Sequence, residues 1–200
     1  MKCLGIDVST GELVELSFEN TVIAVEPSLA PPKSPPFLAP GFIDIQVNGY
    51  AGVDYNLPST SHEEIARSIH VQYSCGVTRF YPTVITGSPD NMAGCLRNLA
   101  AAKEKLKEGP SMEGFHVEGP HISAEDGPRG AHPKRWVRPP DLDEFRRWQD
   151  AARGNVRLVT IAPEWPEAPR YIEGVVRQGV VVSIGHTGAS KAQIDDAVSA

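Results

Sequence analysis

Cysteine is scarce. The 200 residues hold three, Cys3, Cys75 and Cys95, scattered and without a CxxC pair. That excludes a disulfide framework or a zinc knot and leaves reduced thiols. No apolar run exceeds the length of a strand, so no segment reads as a membrane span. There is no basic run, and a formal net charge of −6 argues against a nucleic-acid partner. The opening Met1-Lys2-Cys3-Leu4-Gly5-Ile6-Asp7 puts an acid where a signal peptide needs its apolar core. These absences point to a cytoplasmic protein. No GxGxxG follows the first strong strand and there is no P-loop. What remains is 40% hydrophobic and 22% charged, the composition of a soluble globular chain. Its length allows one domain or part of a larger one.

Residues 1–39 differ from the rest. Glu12 to Val25 suggests short strands, with Ser9-Thr10-Gly11 as a turn before them. Pro27, Pro31, Pro32, Pro35 and Pro36 then make a linker. Forty residues of short strands bury little surface alone and need a partner sheet.

From residue 40 a rhythm begins. Phe42 to Asn48 reads as a strand with Ile43, Ile45 and Val47 on one face and Asp44, Gln46 and Asn48 on the other. Ser61 to Ser74 reads as a helix, with Ser61 and Glu64 at capping-box spacing and Gly76 at its end. Strands over 77–84 (its end weakened by Pro82), 112–118, 156–162 and 180–184 alternate with helices over 89–107, 141–152, 167–178 and 191–200. Five strand–helix units in a row imply a parallel sheet with right-handed crossovers. The expected fold is α/β: an incomplete (β/α)8 TIM barrel of about five units over 40–200, preceded at 1–39 by the N-terminal part of a small β-sandwich domain. An open five-stranded sheet is the alternative. A barrel cut after five units would leave an unpaired edge at its fifth strand and a poorly soluble chain.

Chemistry in such folds sits at the carboxyl ends of the strands. The third strand ends in His116-Val117-Glu118-Gly119-Pro120-His121, where Gly119-Pro120 stops the pairing and leaves Glu118 at the tip beside two histidines in sequence. A carboxylate there is costly unless a cation or a substrate uses it. The fifth strand ends in Gly185-His186-Thr187, so Glu118 and His186 converge on one mouth. The pair fits a divalent metal or a general acid–base pair. The first strand contributes Gln46 and Asn48. The long loop Gly119 to Pro140 carries Arg129 and His132, which could hold an anion. His62 and His70 read as helix surface, and Trp136, Trp148 and Trp165 as packing residues.

Five segments in order, Pro40-Gly41-Phe42-Ile43-Asp44, His116-Val117-Glu118-Gly119-Pro120, Gly130-Ala131-His132-Pro133, Leu158 to Glu164 and Gly185-His186-Thr187, resemble the N-terminal part of the N-acetylglucosamine-6-phosphate deacetylase family of the amidohydrolase superfamily. The resemblance implies a (β/α)8 barrel beside a small β-domain, and hydrolysis of the N-acetyl group of an amino-sugar 6-phosphate. It implies one divalent ion, zinc before iron or manganese, held by Glu118 and His186. Ala131 and His132 would contact substrate. Gln46 and Asn48 would line the site where many superfamily members carry His-x-His. The catalytic aspartate and a further histidine ligand would lie beyond Ala200, leaving the 200 residues inactive alone. A homodimeric parent acting on a small amino-sugar phosphate follows from the same likeness. Three other readings stay open: another amidohydrolase with a different acylated amine, a non-catalytic sugar-phosphate-binding fragment, and a metal-free isomerase with Glu118 as base.

Overall fold

The chain divides after Gly41 in the computed structural model, which describes residues 1–29 and 33–200. The first unit, Met1–Gly41, is a four-stranded sheet. β1 (Lys2–Asp7) and β3 (Val22–Pro27) flank β2 (Leu13–Phe18) antiparallel, and β4 (Phe37–Leu38) lies parallel to β1. The strand at β1 is one that the sequence reading did not assign, because its alternation is interrupted by Gly5. Pairing with β2 from Lys2↔Ser17 to Ile6↔Leu13 fixes it instead. Pro31 and Pro32 of the expected linker lie outside the described residues. Pro27, by contrast, closes β3 opposite Val14, and the Pro36 carbonyl accepts the Ile6 N–H at 2.8 Å. Proline lacks only the donor, so its carbonyl still serves a sheet edge. Val14 is the one large hydrophobic side chain described as buried in this unit, while Val22, Ile23, Val25 and Phe37 are exposed.

In the second unit, Phe42–Ala200, five strands lie side by side in the order in which the chain makes them. They are β5 (Phe42–Val47), β8 (Val77–Ile85), β9 (Phe115–Glu118), β10 (Val156–Ile161) and β11 (Val181–Ile184), all parallel. A two-residue hairpin, β6 (Gly49–Tyr50) and β7 (Val53–Asp54), follows β5. The connecting helices are α1 (His62–Ser74), α2 (Pro89–Lys105), α3 (Leu142–Ala151) and α4 (Ala168–Val176), with α5 (Lys191–Ser199) after β11. The strand order never reverses, as in a barrel wall and unlike a doubly wound sheet.

Local chemistry sets the helix starts. Ser61 and Glu64 form the anticipated capping box on α1, Ser88 caps α2 ahead of Pro89, and Ser190 and Gln193 repeat the box on α5. The helices cover one face of the sheet. Phe80, Val84, Phe115, Val117, Val159 and Ile161 pack there against Met92, Leu96, Leu99, Phe145, Trp148 and Tyr171, all essentially buried. Burying each such side chain is worth about 1.5–3 kcal/mol. This apolar layer leaves the alternate residues of β9, His116 and Glu118, to the other face.

Two expectations are corrected. Pro82 does not weaken the end of β8, which runs on to Ile85. Side chains supply what the ladder loses: Val47 N–H donates to Thr83 Oγ1 at 3.0 Å, and Ile85 N–H donates to Asn56 Oδ1 at 2.8 Å. Nor does β5 alternate strictly. Asp44 stands beside Phe80 and Val47 beside Pro82, three positions on β5 against two on β8. That irregularity breaks the single face expected for Ile43, Ile45 and Val47. Val47 joins the core while Ile43 and Ile45 are exposed.

Candidate metal centre

Glu118 is the last residue of β9, in register with Ile85 and Thr160 on either side. The chain leaves the sheet at Gly119, whose φ is +78°. A Cβ there would meet Thr86 Oγ1 at 2.2 Å, so only glycine lets the tip close against that threonine. The loop beyond is clamped where Ala162 N–H donates to the His121 carbonyl at 2.8 Å.

That loop returns to the tip carrying His132. Turns at Arg129 N→Glu125 O (3.1 Å) and Gly130 N→Gly127 O (3.0 Å) fold it back. Gly130, at φ +60°, sits so close to the His186 imidazole that a Cβ would come within 3.3 Å of the ring. Arg129, read from the sequence as an anion holder, is already engaged: its guanidinium donates to the His132 carbonyl at 2.6 Å and pairs with Asp126. It braces the loop.

His186 arrives from β11. Its Nδ1 lies 3.1 Å from the Pro128 carbonyl, and its Nε2 lies 3.1 Å from Glu118 Oε1. A carbonyl can only accept, so Nδ1 carries a hydrogen toward Pro128; a carboxylate also only accepts, so Nε2 faces Glu118 across a space that either a hydrogen or an ion must fill. His132 is arranged in the same way. Nδ1 meets Thr86 Oγ1 at 2.8 Å, and Nε2 lies 4.0 Å from Glu118 Oε2. The two rings stand edge to face with centroids 4.5 Å apart. Burial pulls His132 below the ordinary imidazole range, the Glu118 charge opposes this, and His186 and Arg129 reinforce it. The ring is therefore neutral at pH 7, the form in which an imidazole ligates.

One ligand atom each from Glu118, His132 and His186 lies within 4.8 Å of the others. Ligands around a tetrahedral ion at about 2.1 Å stand roughly 3.4 Å apart, so small side-chain rotations close the set. The donor chemistry fits a divalent ion. One buried carboxylate meets two imidazole nitrogens, each ring fixed through its other nitrogen, as supporting hydrogen bonds fix metal-bound histidines. Among the described residues no lysine or arginine pairs with Glu118.

Not every candidate residue enters the group. Ala131 is exposed beside it on the loop. Gln46 and Asn48 are exposed at the end of β5, and their side chains make no described hydrogen bond to Glu118, His132 or His186. His116 and His121, the sequence neighbours of Glu118, do not join it either. His116 Nε2 meets Thr160 Oγ1 at 2.7 Å, and His121 turns away under α3 and α4. Sequence reasoning missed Thr86 and the Pro128 carbonyl, which orient the two rings. Thr86 stands just past β8 and ahead of the Ser88 cap, a strand-tip position that could have flagged it.

Fold and cluster define the class: an α/β protein whose curled parallel half-barrel sheet carries a candidate metal-binding group at its carboxyl edge. Comparison with known proteins narrows this. The chain is 36% identical over 166 residues to N-acetylglucosamine-6-phosphate deacetylase of Bacillus subtilis, covering 82% of this chain and 41% of that protein. It is 38% identical over 170 residues to the human enzyme of the same name, covering 80% and 39%. The crystal structure of N-acetyl-D-glucosamine-6-phosphate deacetylase from Mycobacterium smegmatis superposes with a TM-score of 0.84 at 29% identity, over 100% of this chain and 57% of that one. A mutant of that enzyme in complex with N-acetyl-D-glucosamine-6-phosphate matches equally well. No protein-family model matches the chain. The chain belongs to the N-acetylglucosamine-6-phosphate deacetylase family. It spans about two-fifths of the length of the curated relatives it matches.

Proposed function

We propose that this chain supplies the first part of a metal-dependent hydrolase that cleaves the N-acetyl group of N-acetylglucosamine 6-phosphate to glucosamine 6-phosphate and acetate. One observation carries the reading. In a member of this family, a buried carboxylate at the tip of β9 faces the free nitrogens of two imidazoles whose other nitrogens are already engaged. Glu118 and His186 would hold a single ion, zinc before iron or manganese, because one carboxylate and imidazole donors suit it. A bound ion of this kind polarises an amide carbonyl and lowers the pKa of its water.

The chain's own residues do the rest. Glu118 supplies the carboxylate ligand and His186 Nε2 the imidazole ligand. His132 reaches the same space with a neutral ring, able to ligate or to face the amide of the substrate, and Ala131 beside it borders the sugar. Gln46 and Asn48 line the mouth with amides, which are weaker ligands than imidazoles and suit a one-ion site. The proton-transferring aspartate is placed on a later strand, so the 200 residues alone are inactive. The whole protein works as a cytoplasmic homodimer on a small amino-sugar phosphate. The four strands of residues 1–41 form the N-terminal part of its small β-sandwich domain.

Acetate release from N-acetylglucosamine 6-phosphate by the full-length protein tests this, with and without a chelator and beside Glu118→Gln. Release that chelation and the substitution both remove supports the reading. A folded, zinc-loaded protein that releases no acetate moves the substrate to another acylated amine, and activity that survives chelation removes the metal.

A further inference from the structure

The ladder between β10 and β11 ends at Ile161↔Ile184, with Gly185 N–H donating to the Ile161 carbonyl at 3.0 Å as its last backbone bond. His186 stands one residue beyond, and its backbone is left-handed, at φ +49°. A residue with a Cβ incurs roughly 1–2 kcal/mol there and stays only if its surroundings hold it. Ser123 N–H donates to the His186 carbonyl at 2.9 Å. The residues that follow His186 are held by a carboxylate. Glu164 Oε1 accepts the Gly188 N–H at 3.1 Å, and Oε2 accepts the Thr187 hydroxyl. Thr187 Oγ1 accepts the Ala189 N–H in turn at 2.9 Å. Both oxygens of Glu164 are thus committed to the two residues that follow His186. Burial resists ionisation of this carboxyl, but the donors from Thr187, Gly188, its own N–H and Ser123 outweigh it and hold the group below its ordinary range.

We propose that Glu164 is a positioning residue: through Thr187 and Gly188 it fixes the left-handed turn that aims His186 Nε2 at Glu118. The turn needs an acceptor that spans two donors, and a glutamate three residues past β10 reaches both. The side chain then keeps its two rotations, and the Pro128 carbonyl restrains them through Nδ1. Glu164 touches neither Glu118 nor His132 and acts on the cluster only through His186. For its effect on metal affinity the inference rests on the metal reading above; for the geometry of the turn it does not.

The test uses the full-length protein stripped of metal. The 15N shifts of the His186 ring report its tautomer, Gly188 amide exchange reports the turn, and cobalt(II) affinity is then measured against a competing chelator. The wild-type ring should hold one hydrogen-bonded state, with Nδ1–H on the Pro128 carbonyl. Glu164→Ala should mix ring states, speed Gly188 exchange by about tenfold or more, and weaken cobalt binding by roughly 10–100-fold, the usual cost of losing a supporting partner. Glu164→Gln, which keeps one acceptor oxygen, should recover part of each loss. Thr187→Val removes one of the two anchors and should shift all three readouts less, in the same direction; it decides the matter if Glu164→Ala does not fold. A Glu164→Ala protein that melts lower but keeps the wild-type tautomer, exchange and affinity overturns the proposal. So does a Gln variant as poor as Ala, which would assign the effect to charge and not to the hydrogen bonds. If the wild type takes up no cobalt, the metal reading fails, and the ring and amide measurements still judge the clamp.

Discussion

Two histidine environments lie on either side of the β9 tip. On one side, His132 and His186 each spend Nδ1 on an oxygen and turn Nε2 toward Glu118. On the other, three residues past Glu118, His121 is 0% exposed and packs between Trp148 and Tyr171, with ring centroids 5.2 and 5.1 Å away. Its Nδ1 donates to the Arg138 carbonyl at 3.3 Å. Its Nε2, the Trp148 Nε1 and the Tyr171 hydroxyl have no partner among the described residues. Burial pulls this ring down to about 4, so it is neutral and behaves as one more aromatic in the core. Burial therefore does not mark a functional histidine. The direction of its second nitrogen does: toward a carboxylate on one side, toward rings on the other.

The largest effect should come from the ligand side. Glu118→Gln keeps the shape and removes the charge that two imidazoles face. Metal affinity should fall by more than the roughly 10–100-fold that a lost supporting hydrogen bond costs, and acetate release by the full-length protein should vanish with it. Titration of the metal-free protein checks the first, and product assay the second. Unchanged affinity would erase the contrast between the two sides.

The wall of the His121 side should answer in stability instead. Glu144, 3% exposed, accepts from Arg138 Nε at 2.8 Å and Nη2 at 2.5 Å. Arg138 also donates to the carbonyls of Gly87 (3.1 Å) and Trp136 (2.6 Å). Glu144→Ala strands the guanidinium half-buried and should cost about 3–5 kcal/mol in urea unfolding. Metal affinity should move little, since no atom of this pair touches Glu118, His132 or His186. A large loss of affinity would show the two sides to be coupled.

A smaller effect isolates His121 through pH. Its folded value of about 4 lies below the ordinary imidazole value near 6.5. Above pH 6.5 the ring is neutral in both states, and its contribution to stability is whole. As pH falls the unfolded state takes up the proton first, so stability drains between about 6.5 and about 4, by about 3 kcal/mol in all. His121→Phe keeps the aromatic packing and has no proton to gain. Carboxylates titrate in both proteins, so the measured quantity is the difference between the two stability–pH curves. It should open below pH 6.5 with the Phe variant the more acid-resistant. Parallel curves would place a charge or water beside Nε2.

The two sides were unequally legible in the sequence. Glu118 and His186 stand at strand ends, where period-2 alternation followed by Gly-Pro or by Gly-His-Thr marks a tip, and both were found. His132 was named only as a substrate contact, not as a third member of the group. Adjacency in the chain set Glu118 beside His116 and His121, whereas His116, on the same face, is bonded to Thr160 instead, and the turn at Gly119 sends His121 into the helix layer. His132 reaches Glu118 only because a loop fold, two glycines and an Arg129 brace bring it back, and no local pattern encodes that. The sequential parallel sheet was readable because each strand–helix unit carries its own periodicity. The β5 irregularity and β1 were not, since both are set by the strand alongside.

The mildest test asks whether ordinary stability reaches the site at all. Ser61 caps α1, its hydroxyl accepting the Glu64 N–H at 3.2 Å while the Glu64 carboxylate takes the Ser61 N–H at 3.0 Å. Removing such a cap costs about 1 kcal/mol. α1 packs on β8 with Ile65 and Ile69 buried, and β8 leads directly to Thr86, which orients His132. If the cluster depended on stability alone, Ser61→Ala would weaken metal binding in proportion to the stability it removes. If it depends on local aim, as the comparison of the two histidine sides argues, unfolding should shift by about 1 kcal/mol while the His132 ring shifts and the metal affinity stay at wild-type values. The reason lies in the anchors: the β8 end is held through Asn56 and Thr83, and neither residue shares a described hydrogen bond with Ser61 or Glu64.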